Sequence, residues 1–87
     1  MGLQRLGLVL NVSPSRNIIL KVENTPRIGE TVVDETLKSV GRVFDIFGPT
    51  SSPYASIRPV VHEPEKLVGR TLYVIPSKRR KEKGNNE

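Results

Sequence analysis

Hydrophobic and polar residues alternate along most of this chain, and a period of two predicts β-strands rather than helices. Two alternating runs lie near the N-terminus, separated by a turn sequence at residues 13–16. The first strand would bury Leu6, Leu8, Leu10 and Val12, and the second would bury Ile18, Leu20 and Val22. Because these two apolar faces follow each other so closely, they predict a hairpin whose core faces meet.

The remaining strands are shorter and are separated by turns rich in glycine and proline. We expect strands over Thr31 to Asp34, Gly41 to Phe47, Tyr54 to Val61 and Thr71 to Ile75. The inward residues of the last two strands would be Ala55, Ile57, Leu72 and Val74. Alternation fails within Gly41 to Phe47, and this favours a β-bulge near Asp45. Residues 62–69 favour a helical turn, with Pro64 near its first position.

Six short strands in 87 residues predict a single all-β domain, a closed or nearly closed β-barrel over residues 1–76. A chain of this length has no room for a second core. A two-sheet sandwich would leave long exposed edges, whereas closure of the sheet removes them. We therefore expect a small six-stranded barrel followed by a separate tail.

The formal charge of +5 is placed unevenly along the chain. Residues 77–87 hold five basic and two acidic residues, and we expect a basic, disordered tail there. The tail residues Lys78, Arg79, Arg80 and Lys81 are candidates for salt-dependent contacts with RNA or an acidic partner. The chain has no cysteine and no apolar run of membrane-spanning length, which favours a soluble, cytoplasmic protein.

Catalytic and metal-binding patterns are sparse in this sequence. His62 is the only histidine, and its acidic neighbour Glu63 is adjacent merely in sequence. The acidic residues Asp34, Glu35 and Asp45 are more typical of turn caps than of a cation site. We therefore predict no enzyme activity, no metal, no cofactor and no small-molecule substrate.

The connection between the fourth and fifth strands combines aromatic residues with rigid turn residues. Phe47 and Tyr54 flank a segment that contains Gly48, Pro49 and Pro53. Outward aromatic side chains beside a rigid turn are typical of protein interfaces, because a rigid loop loses little conformational entropy on binding. Alternatively, the two rings pack only on each other across the turn.

Direct RNA binding by the barrel itself is a second hypothesis. Small oligonucleotide-binding barrels stack bases on an aromatic and basic strand face. The outward candidates for such a face are Arg42, Phe44, Tyr54, Arg58 and Tyr73. Only four aromatic side chains are available, and acidic residues interrupt the basic face, which argues against an extended stacking surface.

One block of the sequence resembles a known family. The residues that carry the resemblance are Val40-Gly41, Val43, Asp45-Ile46-Phe47-Gly48-Pro49, Pro53-Tyr54, Ile57, Pro59, Val68-Gly69 and Leu72-Tyr73-Val74. This pattern resembles the short archaeal form of the Gar/Naf family of H/ACA small ribonucleoprotein proteins. The glycine-arginine repeats of eukaryotic members are absent, and Phe44 stands where the family pattern has a polar residue.

The resemblance implies a barrel related to the second domain of translation elongation factors. It also implies a non-catalytic subunit that binds the catalytic domain of a dyskerin-type pseudouridine synthase. Such a subunit assists substrate loading and product release in rRNA pseudouridylation, and its contact with the guide RNA particle is indirect or made by the tail. The implied partner-binding residues are Phe47, Gly48, Pro49, Pro53, Tyr54 and Ile57, although alternation turns Ile57 inward. The alternative is a free-standing RNA-binding barrel of the translation-factor type.

Overall fold

Six β-strands and one short 3₁₀ helix make up residues 3–75, the part of the chain that this computed structural model describes. In chain order they are β1 (Gln4–Val12), β2 (Ile18–Val22), β3 (Thr31–Val33), β4 (Ser39–Phe47), β5 (Tyr54–Pro59), the 3₁₀ helix (Pro64–Leu67) and β6 (Thr71–Val74). All six predicted strands are present, with ends that differ by one or two residues. The predicted tail at residues 77–87 lies outside the described residues.

The strands form one closed antiparallel barrel in the order β1-β2-β5-β4-β3-β6, with β6 hydrogen-bonded back to β1. The hairpins β1–β2 and β4–β5 are joined edge to edge, because β2 pairs with β5. The predicted closed six-stranded barrel is therefore confirmed. No helix within residues 3–75 has the length and apolar character required to cross a bilayer.

The core fills the inside of the barrel with aliphatic side chains from every strand. It consists of Leu6, Val9, Ile18, Leu20, Val22, Val32, Val40, Val43, Ala55, Ile57, Leu67, Leu72 and Val74. The predicted inward positions on β2, β5 and β6 are confirmed. The predicted helical turn is also confirmed, and its last residue, Leu67, packs against the core.

The prediction for β1 was wrong in part, because Leu8 and Leu10 point outward and are each 44% exposed. The register of β1 shifts between Arg5 and Gly7 against β6, and again between Val9 and Asn11 against β2. A shift by one residue moves every following side chain to the other face of the strand. Val9, only 1% exposed, therefore takes the inward position.

Gly7 is the residue at which β1 changes face. A Cβ atom at this position would lie 1.8 Å from the carbonyl oxygen of Lys21 on β2. The two backbones approach closely enough that only glycine fits. Alternation alone could not predict this contact, because it depends on the neighbouring strand.

Candidate docking surface at the β4–β5 hairpin

An aromatic pair closes the β4–β5 hairpin. Phe47 ends β4 and Tyr54 begins β5, and the two form the strand pair nearest the loop. Their ring centroids are 5.9 Å apart with an interplanar angle of 21°. Phe47 is 44% exposed and Tyr54 is half-buried. The rings therefore pack on each other and still present apolar surface to solvent.

The loop over this pair is held by backbone contacts. Gly48 has a φ of +93°, a left-handed conformation that favours glycine. The amide of Ser52 donates a 3.1 Å hydrogen bond to the carbonyl of Pro49, and the amide of Val22 on β2 donates a 3.0 Å bond to the carbonyl of Pro53. The loop is thus tied to itself and to the neighbouring strand.

The six residues implied by the family resemblance do not all lie on this surface. Phe47, Gly48 and Pro49 are exposed, and Pro53 and Tyr54 are half-buried. Ile57 is fully buried and pairs with Ile18 and Val43 inside the barrel. The structure therefore places five of the six at the hairpin end and places Ile57 in the core, as the alternation indicated.

A row of outward side chains extends from the aromatic pair around the barrel. Tyr54 is paired with Lys21 on β2, and Lys21 is paired with Leu8 on β1. We call Phe47, Tyr54, Lys21 and Leu8 the hairpin row. Sequence reasoning missed Leu8 as a surface residue, and only the register across three strand pairs reveals the row.

The hairpin row carries one charge on an otherwise apolar surface. Lys21 makes no ion pair with any residue in the described range, whereas the nearby Arg5 is paired with Glu23 at 3.2 Å. Leu10 and the half-exposed Ile19 lie on the same outer face of β1 and β2. Exposed apolar side chains grouped in this way are typical of protein interaction sites.

The acidic candidates have structural partners. Asp34 Oδ1 accepts hydrogen bonds from the Thr36 amide at 2.9 Å, the Thr36 hydroxyl at 2.6 Å and the Lys38 amide at 3.0 Å. The Thr36 hydroxyl is the largest cause that holds the pKa of Asp34 below its usual value. Glu35 pairs with Arg70 at 3.5 Å. These acids stabilise the β3–β4 connection and the adjoining surface.

The remaining candidate residues from the sequence lie apart from one another, except for three of the RNA-stacking candidates. His62 is exposed, and no group of three or more histidine and acidic side chains converges among residues 3–75. Tyr73 is half-buried on β6, across from Arg5. In contrast, the proposed RNA-stacking residues Arg42, Phe44 and Arg58 come together on the outer face of β4 and β5.

The predicted bulge near Asp45 is confirmed and lies next to Phe44. The register of β4 against β5 shifts between Val43 and Asp45, so Phe44 has no direct partner on β5, and both Phe44 and Asp45 are exposed. The carboxylate of Asp45 accepts a 2.8 Å hydrogen bond from the amide of Ile46. The tail candidates Lys78, Arg79, Arg80 and Lys81 lie outside the described residues.

Comparison with known proteins identifies two archaeal relatives. An uncharacterized protein of Methanothermobacter thermautotrophicus is 42% identical over 76 residues, which cover 83% of each chain. A second, from Methanocaldococcus jannaschii, is 33% identical over 66 residues, covering 76% of this chain and 78% of the relative. This chain belongs to the same family as these two proteins. No protein-family model matches the sequence.

A solved structure has the same fold. The Gar1 domain of NAf1 superimposes with a TM-score of 0.70 over 84% of this chain and 83% of that chain, at 16% sequence identity. At this identity the similarity establishes the barrel fold. The chain is thus a small closed barrel with a Gar1-like fold and an aromatic pair at one hairpin end.

Proposed function

We propose that this protein is a non-catalytic subunit of an H/ACA ribonucleoprotein, in which it binds the catalytic domain of a dyskerin-type pseudouridine synthase. There it assists loading of substrate RNA and release of product during rRNA pseudouridylation. The observation that carries the proposal is the exposed Phe47–Tyr54 stack, which lies within the sequence block that resembles the Gar/Naf family. The Gar1-like fold supports it independently.

The physical properties of the hairpin end suit a protein partner. The stacked rings and the tied loop are already ordered, so binding costs little side-chain or backbone entropy. Aromatic side chains also provide large contact areas and dominate the energy of many interfaces. We propose that Phe47 and Tyr54 are the anchors and that Gly48, Pro49 and Pro53 hold them in position.

The interface would continue along the hairpin row. Leu8 adds apolar area on β1, and Lys21 lies between it and Tyr54. Because Lys21 has no acidic partner among the described residues, a carboxylate on the synthase would complete the pair. Ile57 contributes from the core by supporting the strands beneath the row. The basic residues 78–81 would add salt-dependent attraction to the assembled particle.

Co-purification from an extract of the source organism tests this proposal. The tagged full-length chain serves as bait, and the retained proteins are identified by mass spectrometry. We expect the synthase with the wild-type bait at 0.5 M salt, because an apolar interface is little affected by screening.

Two variants make the experiment specific. Tyr54→Ala should retain much less synthase, whereas Tyr73→Ala, a tyrosine truncation on β6, should retain the wild-type amount. Each bait is first checked for wild-type thermal unfolding. Absence of the synthase from the wild-type eluate, or equal loss with both variants, would contradict the proposal.

A further inference from the structure

Two arginine residues face each other on the outside of the barrel, away from the hairpin row. Arg42 on β4 is directly paired with Arg58 on β5, and both side chains are exposed. Like charges at directly opposed positions of an antiparallel sheet are destabilising. An anion bound between them would relieve this repulsion.

Neither arginine is neutralised within the described part of the chain. Ion pairs there involve Arg5, Arg16, Lys66 and Arg70, each with a glutamate. Arg42 and Arg58 take part in none of them. The nearest acidic residue along β4, Asp45, has a carboxylate oxygen bonded to the Ile46 amide. A positive charge pair therefore remains on this face.

Phe44 provides an aromatic surface beside the charge pair. Its side chain is 49% exposed, and the guanidinium carbon of Arg58 lies 4.8 Å from the ring centroid. A guanidinium over an aromatic face is a favourable cation–π arrangement. The other face of the planar guanidinium can stack on a further ring. Phe44 points outward because it follows the inward-facing Val43, and the β-bulge leaves Asp45 outward as well.

A surface groove of about 390 Å³ adjoins this stack. It is lined by Ser15, Arg16, Asn17, Phe44, Arg58 and Pro59. Arg16 is ion-paired with Glu65, so its charge is already compensated. Ser15 and Asn17 contribute hydroxyl and amide groups. The groove thus combines a planar cation, an aromatic ring and neutral hydrogen-bonding groups.

We propose that Arg42, Phe44 and Arg58 form a binding site for single-stranded RNA. A base stacks on the face of the Arg58 guanidinium that points away from the Phe44 ring. Arg42 contacts a neighbouring phosphate. Bases stack on both aromatic rings and arginine planes, and arginines bind backbone phosphates. An acidic peptide would use the two charges but would leave the aromatic stack without a role, so RNA fits the arrangement better.

Fluorescence anisotropy with a labelled twelve-residue oligouridine tests the proposal on the full-length chain. Phe44→Leu keeps an apolar side chain but removes the ring, and Arg58→Lys keeps the charge but removes the plane. We expect each to weaken binding about fivefold or more, within the range known for loss of one stacked base. Phe44→Tyr should bind like the wild type. Arg42→Gln should weaken binding and make the slope of log K against log salt concentration about 0.7 less steep, the change expected for one lost phosphate contact.

Arg70→Gln is the matched control, because it removes an exposed arginine from another face. Thermal unfolding first confirms that each variant is folded. Selective loss with Phe44→Leu and Arg58→Lys, persisting at raised salt, supports a stacking site. The proposal would be overturned if all arginine variants lost RNA affinity equally while Phe44→Leu lost none. Tighter binding of polyglutamate than of oligouridine would overturn it too. Absence of RNA binding at 50 mM salt would overturn it as well.

Discussion

Truncating two leucines of opposite orientation tests the structure of β1 and of the core. Leu20 is fully buried, and Leu8 is 44% exposed although it lies on the neighbouring strand. Leu20→Ala removes buried methyl groups and leaves a cavity, which typically costs about 2 to 5 kcal/mol. A protein of 87 residues has a stability on the order of 4 to 13 kcal/mol, so this loss is large.

Leu8→Ala should cost much less. Fully burying a leucine side chain contributes about 1.5 to 3 kcal/mol, and Leu8 is only partly buried and leaves no cavity when truncated. We expect a loss of about 1 kcal/mol or less. A loss of 1 kcal/mol lowers the Tm of a domain of this size by about 4 to 8 °C. Leu20→Ala should therefore lower Tm by at least about 8 °C, and Leu8→Ala should lower it by less than Leu20→Ala does.

Guanidinium unfolding followed by far-UV circular dichroism measures both variants, since the chain has no tryptophan for fluorescence. The slope of the free energy of unfolding against denaturant should be unchanged, which would show that only stability differs. Equal destabilisation by Leu8→Ala and Leu20→Ala would refute the register shift between Arg5 and Gly7. It would restore the simple alternation in which Leu8 points inward.

Two further predictions concern the backbone and the β3–β4 connection. Gly7→Ala should destabilise the barrel by about 3 kcal/mol or more or prevent folding, because the added Cβ would meet the Lys21 carbonyl oxygen at 1.8 Å; thermal unfolding measures this. Asp34→Asn should remove the stabilisation that the ionised Asp34 carboxylate gives the folded state, because the folded state lowers the pKa of this group. That stabilisation is fully present above the unfolded-state pKa near 3.9 and is lost as the pH falls through the lower folded-state pKa. The difference in unfolding free energy from the wild type, below about 1 kcal/mol for this exposed group, should therefore be constant at pH 6 to 7 and shrink below about pH 4.

Alternation was sufficient to predict the barrel because most strands have one buried face. Ile18, Leu20, Ala55 and Ile57 all lie inside, as a period of two requires. The irregular alternation around Asp45 even revealed the bulge in β4. These features are local, and each strand expresses them in its own sequence.

The hairpin row could not be predicted in the same way, because it depends on the register between neighbouring strands, including the distant strands β2 and β5. Leu8, Lys21 and Tyr54 become neighbours only through two separate strand pairings. The shift in β1 next to Gly7 lies at a close approach to the Lys21 carbonyl, which alternation does not encode. For this reason the aromatic pair was found from sequence, whereas its extension to Leu8 was not.

Calorimetric titration of Phe47→Ala into a purified dyskerin-type synthase is the most direct test of the proposed docking role. The variant keeps the loop and the strands but removes the exposed half of the aromatic stack. Loss of an interface anchor typically costs about 2 kcal/mol, so we predict binding roughly thirtyfold weaker than that of the wild type, with Tyr73→Ala within about threefold. Wild-type affinity in Phe47→Ala, or no binding by the wild-type chain, would contradict the account.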